Sequence, residues 1–187
     1  MSEPRPRFNA TLILEAFNRL ADELERRGVV AEIYVVGGNA LALAYEARRI
    51  TRDVDAVFEP KATVREAAST VAIEMGLPED WLNDGARAFF PGPDPASTVV
   101  IRRPGLTVSV ASPRQLLAMK LLASRADQDV DDIKLLYGLC GMRTAADGLA
   151  LLEAVYPNRP VPARTRFLLE ELFGHLLPHS LEQPRPS

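Results

Sequence analysis

The stretch from Val35 to Phe58, VVGGNALALAYEARRITRDVDAVF, limits what this chain can fold into more than any other. An apolar run, Ile33-Tyr34-Val35-Val36, reads as a buried strand and leads straight into Gly37-Gly38. Gly37 to Arg48 fits a short helix whose Leu41, Ala42, Ala44 and Tyr45 point inward. Arg48, Arg49, Ile50, Thr51 and Arg52 make a basic turn, and a second strand, Asp53 to Glu59, ends at Pro60. Alternate side chains of a strand share a face, which places Asp53 and Asp55 together and Val54 and Ala56 behind them. Carboxylates held side by side repel each other and call for a cation. A hard divalent ion, Mg²⁺ above all, suits oxygen ligands and is readily shared with substrate phosphates. Glycines ahead of a helix let backbone N–H groups come close to a phosphate. The stretch therefore describes a phosphate cradle beside a metal-holding pair of acids.

The rest of the chain narrows the setting. A length of 187 residues suits one domain, or one domain with a small appendage. No apolar run approaches membrane-spanning length, so no membrane partner is expected. The opening MSEPRPRFN lacks the apolar core of a signal peptide, and the cytoplasm is the expected compartment. Cys140 is the only cysteine, which excludes an internal disulfide and a cysteine-based zinc site. With a net charge of −3, any nucleic-acid partner has to be met by a local basic patch.

Phe8 to Arg27 carries apolar residues at the spacing of one helix face, with Asn9 as N-cap and Gly28 as C-cap. Thr63 to Met75 reads as a further helix stopped by Gly76. Trp81 to Phe90 shows no clear period, and Pro91-Gly92-Pro93 marks a surface loop. Thr98–Arg102 and Leu106–Ala111 flank Arg103-Pro104-Gly105 as a hairpin. Ser112, Pro113 and Gln115 open the next helix as a capping box, and it runs to about Arg125. Helices follow over Asp129–Leu139, Ala145–Val155 and Arg164–Leu176. The expected fold is α/β (α+β): a small mixed sheet flanked by helices over residues 1–111, then a helical region over 112–187. A disordered tail begins at about residue 180.

The order strand, Gly-Gly, helix, turn, Asp-x-Asp strand resembles the nucleotidyltransferase superfamily related to DNA polymerase beta. Asn39 stands where many members carry a serine. Members also place a third acid on a later strand, yet Leu106-Thr107-Val108-Ser109-Val110 has none. A second constellation offers a substitute. Lys120 lies inside an otherwise apolar helix, and Arg125, Asp129 and Asp132 follow. Asp129 and Asp132 are three apart, so they share a helix face. GGNALAL, ITRDVD, LLAMKL, Arg125 and the Asp-x-x-Asp before Ile133 together resemble the AbiEii/MenT-type toxins of bacterial toxin–antitoxin systems.

That resemblance implies Mg²⁺-dependent transfer of nucleotides from a nucleoside triphosphate to an acceptor, for MenT-type members the 3′ end of tRNA, so that translation stops. It also implies a cognate antitoxin as partner. Carried over by position, Gly37, Gly38, Asn39, Arg52 and Lys120 would bind the nucleotide. Asp53 and Asp55 would hold the metal, and Asp132, with Asp129 beside it, would be the later acid. Thr51, two residues before Asp53, resembles a position where an antitoxin kinase silences some members by phosphorylation. Arg48, Arg49, Arg52, Arg102 and Arg103 would form a patch for tRNA phosphates.

Each feature also has a plainer reading. Glycine pairs mark turns everywhere, two acids on a strand commonly face solvent, and a lysine in an apolar helix can snorkel. An acid run at a helix N-terminus is favoured by the macrodipole alone. His175 and His179 are separated by Pro178 and lack an acid ligand, so they are set aside as a metal site. Cys140 reads as core, and Trp81, Phe89 and Phe90 read as packing. Two functional alternatives stay open: a non-catalytic nucleotide- or partner-binding module of this fold, and transfer to a small molecule or a protein.

Overall fold

The structure, a computed structural model, describes residues 8–45, 53–123 and 126–174. The chain divides into two compact units, Met1–Leu116 and Leu117–Ser187. Among the described residues there are seven α-helices and a five-stranded mixed sheet.

In the first unit, α1 (Ala10–Arg26) is opened by Asn9, whose side chain accepts from Leu12 N–H. Gly28, just past its end, takes the left-handed φ of +67° that an exit of this kind favours. The strands are β1 (Ala31–Val35), β2 (Val54–Glu59), β3 (Leu82–Asn83), β4 (Thr98–Arg103) and β5 (Leu106–Val110). Their order across the sheet is β3-β2-β1-β5-β4. Strand β1 runs antiparallel to β2 and parallel to β5, while β4 and β5 form the expected hairpin. One sheet face, carrying Ile33, Val35, Val54, Ala56, Phe58, Val108 and Val110, is buried. Helices α1 and α3 (Lys61–Met75) pack together and against these strands. The other face carries half-exposed Tyr34, Asp55, Val57, Thr107 and Ser109.

Helix α2 is shorter than the pattern of the sequence suggests, spanning Gly37–Ala44. Ala44, expected to point inward, is the last helical residue and is exposed. Residues 46–52, including Arg48, Arg49, Thr51 and Arg52, lie outside the described residues. The unassigned stretch after α3 resolves into β3 and a short 3₁₀ turn, Gly85–Phe89. Trp81 anchors it from the core: fully buried, it donates its indole N–H to Ala68 O at 3.0 Å and meets Phe17 edge-on.

The N-terminus of α4 (Pro113–Ala123) departs from expectation in an informative way. Ser112 Oγ accepts from Gln115 N–H at 3.3 Å, which is half of a capping box. The other half is absent. Ser112 N–H goes to Asp94 Oδ2 at 2.7 Å, and the Gln115 amide instead donates to Gly92 O at 3.1 Å. A charged acceptor on the loop before β4 outcompetes the neutral glutamine for that N–H.

Within the second unit, α5 (Ala126–Leu139), α6 (Ala145–Val155) and α7 (Ala163–Phe173) follow. Tyr137 of α5 stacks on Phe173 of α7, with centroids 3.8 Å apart. Gly148 lets α6 come close to the Tyr137 hydroxyl, where a Cβ would collide. Thr144 and Asp147 form a complete capping box, and the backbone N–H groups of Arg143 and Thr144 hold the Asp147 carboxyl below its ordinary range. Thr165, fully buried, donates its hydroxyl to Leu121 O at 2.8 Å. Cys140, read as core, is only half-buried at the end of α5, because Gly141 turns the chain there with φ +67°. His175, His179 and the tail lie outside the described residues.

Candidate active site

In the first unit the glycine turn and the aspartates meet at the junction of β1, α2 and β2. Val36 N–H bonds Asp55 O at 2.9 Å, which locks the end of β1 to the start of β2. Gly37 then turns with φ +66°, a conformation that side chains resist. A Cβ at Gly37 would sit 3.2 Å from Asp55 Oδ2, so the bare backbone lies directly against the carboxylate. Helix α2 begins at this point, and the first N–H groups of any helix lack intrahelical partners and favour anions. Gly37→Ala is therefore expected to cost roughly 1–2 kcal/mol from backbone strain and to push Asp55 out of place. Thermal melting and metal titration would measure the two effects separately.

Asp53 sits at the bend just before β2 and Asp55 within it, both half-exposed, with Val54 and Ala56 buried behind them. This is the alternation the sequence requires. Two residues hold Asp53. Asn39, buried in α2, donates its amide to Asp53 O, so this side chain positions the acid through its backbone. Asn83 of β3 donates to Asp53 Oδ2 at 3.0 Å, and its own carbonyl accepts from Gly85 N–H at 3.0 Å, which fixes the amide's orientation. Sequence reasoning missed Asn83. Its pairing partner in the sheet is Asp55, 28 positions earlier, and a two-residue strand shows no period to betray the pairing. Removing a partner that orients a metal ligand typically costs 10–100-fold in metal affinity. With Asp53 as a Mg²⁺ ligand, Asn83→Ala would weaken binding of the ion by about that factor, read by calorimetry, without unfolding the chain.

Two carboxylates with an adjacent glycine turn fit a Mg²⁺ ion held by one or two protein acids and completed by substrate phosphates. Among the described residues, no group of three His, Cys, Asp or Glu side chains is placed to hold a metal by itself. This agrees with the lack of an acid on β5.

The second unit gathers the other constellation. Lys120 of α4 places its ammonium 2.7 Å from Asp129 Oδ1 and 2.7 Å from Asp132 Oδ2, both on α5. All three side chains are largely buried, Lys120 being 13% exposed. The lysine does not snorkel; it is clamped. One cation between two carboxylates leaves the triad with a formal charge of −1. Arg125 lies outside the described residues. Arg103 bonds Asp22 at 2.6 Å and Asn18 O, and Arg102 on the edge strand is exposed.

A five-stranded mixed sheet, a glycine turn set against an Asp-x-Asp strand and a helical continuation define a nucleotidyltransferase-type fold. The chain belongs to the DUF6036 family, described as nucleotidyltransferases of unknown function, whose model matches residues 13–140. The matched span contains Gly37, Asp53 and Asp55 as well as Lys120, Asp129 and Asp132, and it ends before α6. It identifies a nucleotidyltransferase family without reaching the AbiEii/MenT-type branch. No curated protein and no solved structure matches the chain. No helix among the described residues is long and apolar enough to cross a membrane.

Proposed function

We propose that this protein is a Mg²⁺-dependent nucleotidyltransferase acting as the toxin of a toxin–antitoxin pair, adding nucleotides to the 3′ end of tRNA. The observation that carries the reading is the apposition of Gly37 and Asp55, because a phosphate held by the glycine turn lies beside the acids that would hold its metal. Bound there, Mg²⁺ supplies charge neutralisation to the triphosphate. Asp53 and Asp55 would hold it, and the first turn of α2 orients the phosphate oxygens with backbone N–H groups. An acceptor hydroxyl attacks the α-phosphorus; the bond to the β-phosphate oxygen breaks, pyrophosphate leaves and the hydroxyl proton passes to a base. Lys120 is assigned to offset charge on the departing pyrophosphate, and Asp132, supported by Asp129, to act as the later acid.

Incubation with α-labelled nucleoside triphosphates, Mg²⁺ and total RNA tests this directly. Label on tRNA is the expected result. Label on a protein or a small molecule would keep the chemistry and replace the acceptor. No transfer to any acceptor, from protein that melts cooperatively, would favour a binding module of this fold.

A further inference from the structure

The open face of the sheet carries a cleft of about 290 Å³ lined by none of the residues assigned to the transfer chemistry. Its floor is Tyr34 on β1 and Val57 on β2, which are direct partners across the strands, continued by Thr107 and Ser109 on β5. Its wall is the loop before β4, with Phe90, Asp94 and Ser97. That wall is tied down rather than loose. Asp94 Oδ2 accepts from the Tyr34 hydroxyl and from Ser112 N–H, each at 2.7 Å, and its other oxygen accepts from Ala96 N–H. The Gln115 amide, diverted from its helix cap, holds Gly92 O. A cleft braced in this way is preorganised and loses little freedom on binding.

We propose that this cleft is a nucleoside subsite, taking the base and ribose of a nucleotide whose base bears an exocyclic amine, cytosine or adenine. The inference rests on the nucleotidyl-transfer reading above. Size sets the first limit, since 290 Å³ lies at the lower end of small-molecule sites and admits one nucleoside, not an oligonucleotide. The aromatic corner supplies the second. Phe90 meets Tyr34 edge-on at 5.4 Å, and bases favour aromatic faces.

Charge supplies the third limit. Among the described residues no lysine or arginine lines the cleft, while Glu32 and Glu59 stand directly opposite each other on β1 and β2 at its mouth. Arg87 bonds Glu59 at 3.0 Å and offsets that charge. Glu32 then offers an acceptor to an amine or a ribose hydroxyl, and a phosphate finds no counter-charge inside. Position completes the case. Val57 follows Asp55 by two residues on the same face, about 6.6 Å along the strand, so a nucleoside on this floor ends beside the metal-holding acids.

Calorimetric titration of the full chain with cytidine, adenosine and uridine, without metal or triphosphate, tests the subsite apart from catalysis. Cytidine and adenosine are expected to bind about tenfold more tightly than uridine. Glu32→Gln is expected to remove that difference, and Ser109→Phe, which fills the floor, to abolish binding. Should Ser109→Phe fail to melt cooperatively, the base preference and Glu32→Gln decide. Lack of nucleoside binding, or binding indifferent to both cleft variants, would overturn the subsite even if the enzyme transfers nucleotides. Conversely, absent transfer would leave these titrations intact. A second titration with Mg²⁺ and CTP identifies the source: mutual exclusion with cytidine assigns the cleft to the incoming nucleotide, and joint binding assigns it to the acceptor's terminal nucleoside.

Discussion

Asp55→Ala is expected to reduce nucleotidyl transfer by about a thousandfold or more, and Asp53→Ala to do the same, while the fold survives. A catalytic metal stabilises the transition state by several kcal/mol, and each 1.4 kcal/mol is tenfold in rate. Stability should change little for Asp55, whose side chain is half-exposed. Asp53 is the less clean variant, because its carboxylate accepts from Asn83 and its loss disturbs β3. Initial rates with labelled triphosphate, together with melting curves, check both. Wild-type rates in either variant would remove the pair from the chemistry.

Lys120→Met carries the second large effect, and it begins with stability. The ammonium faces two largely buried carboxylates at 2.7 Å each, and methionine would remove that cation from between them. Removing one partner of a buried ionic group costs about 3–5 kcal/mol, a large share of a typical 5–15 kcal/mol total. For a chain of this size that is roughly 6–20 °C in melting temperature. Neutralising the acids as well should reverse the loss, since buried neutral groups need no counter-ion; the triple variant Lys120→Met, Asp129→Asn, Asp132→Asn is expected to melt near wild type. Transfer should remain depressed by about a hundredfold or more in that variant, because the charge assigned to pyrophosphate is still missing. A restored melting temperature with restored activity would make the triad purely structural.

The parts of the fold legible in the sequence are those governed by local rules. Alternation exposed the β2 face, the Gly37 turn announced itself, and Asn9 and Gly28 marked helix ends where the structure has them. What stayed hidden depends on distant partners. Asn83 gains its importance from lying across from Asp55 and bonding Asp53, which no local pattern records. The capping box at Ser112 was a sound local reading, overridden by Asp94 from 18 residues away. Lys120 was ambiguous for a related reason: an apolar helix accommodates either a snorkelling lysine or a clamped one, and only the placement of α5 decides. The cleft was invisible because Tyr34, Phe90 and Asp94 each look like ordinary packing or loop residues until the loop is laid on the sheet.

The account turns on the aspartate pair beside the glycine turn, and calorimetry can address it without knowing the acceptor. Titration of a non-hydrolysable nucleoside triphosphate into the full chain, with and without Mg²⁺, should show binding that depends on the ion in wild type and is lost in Asp55→Ala. Equal binding by the two proteins, or binding in wild type that is indifferent to Mg²⁺, would contradict it.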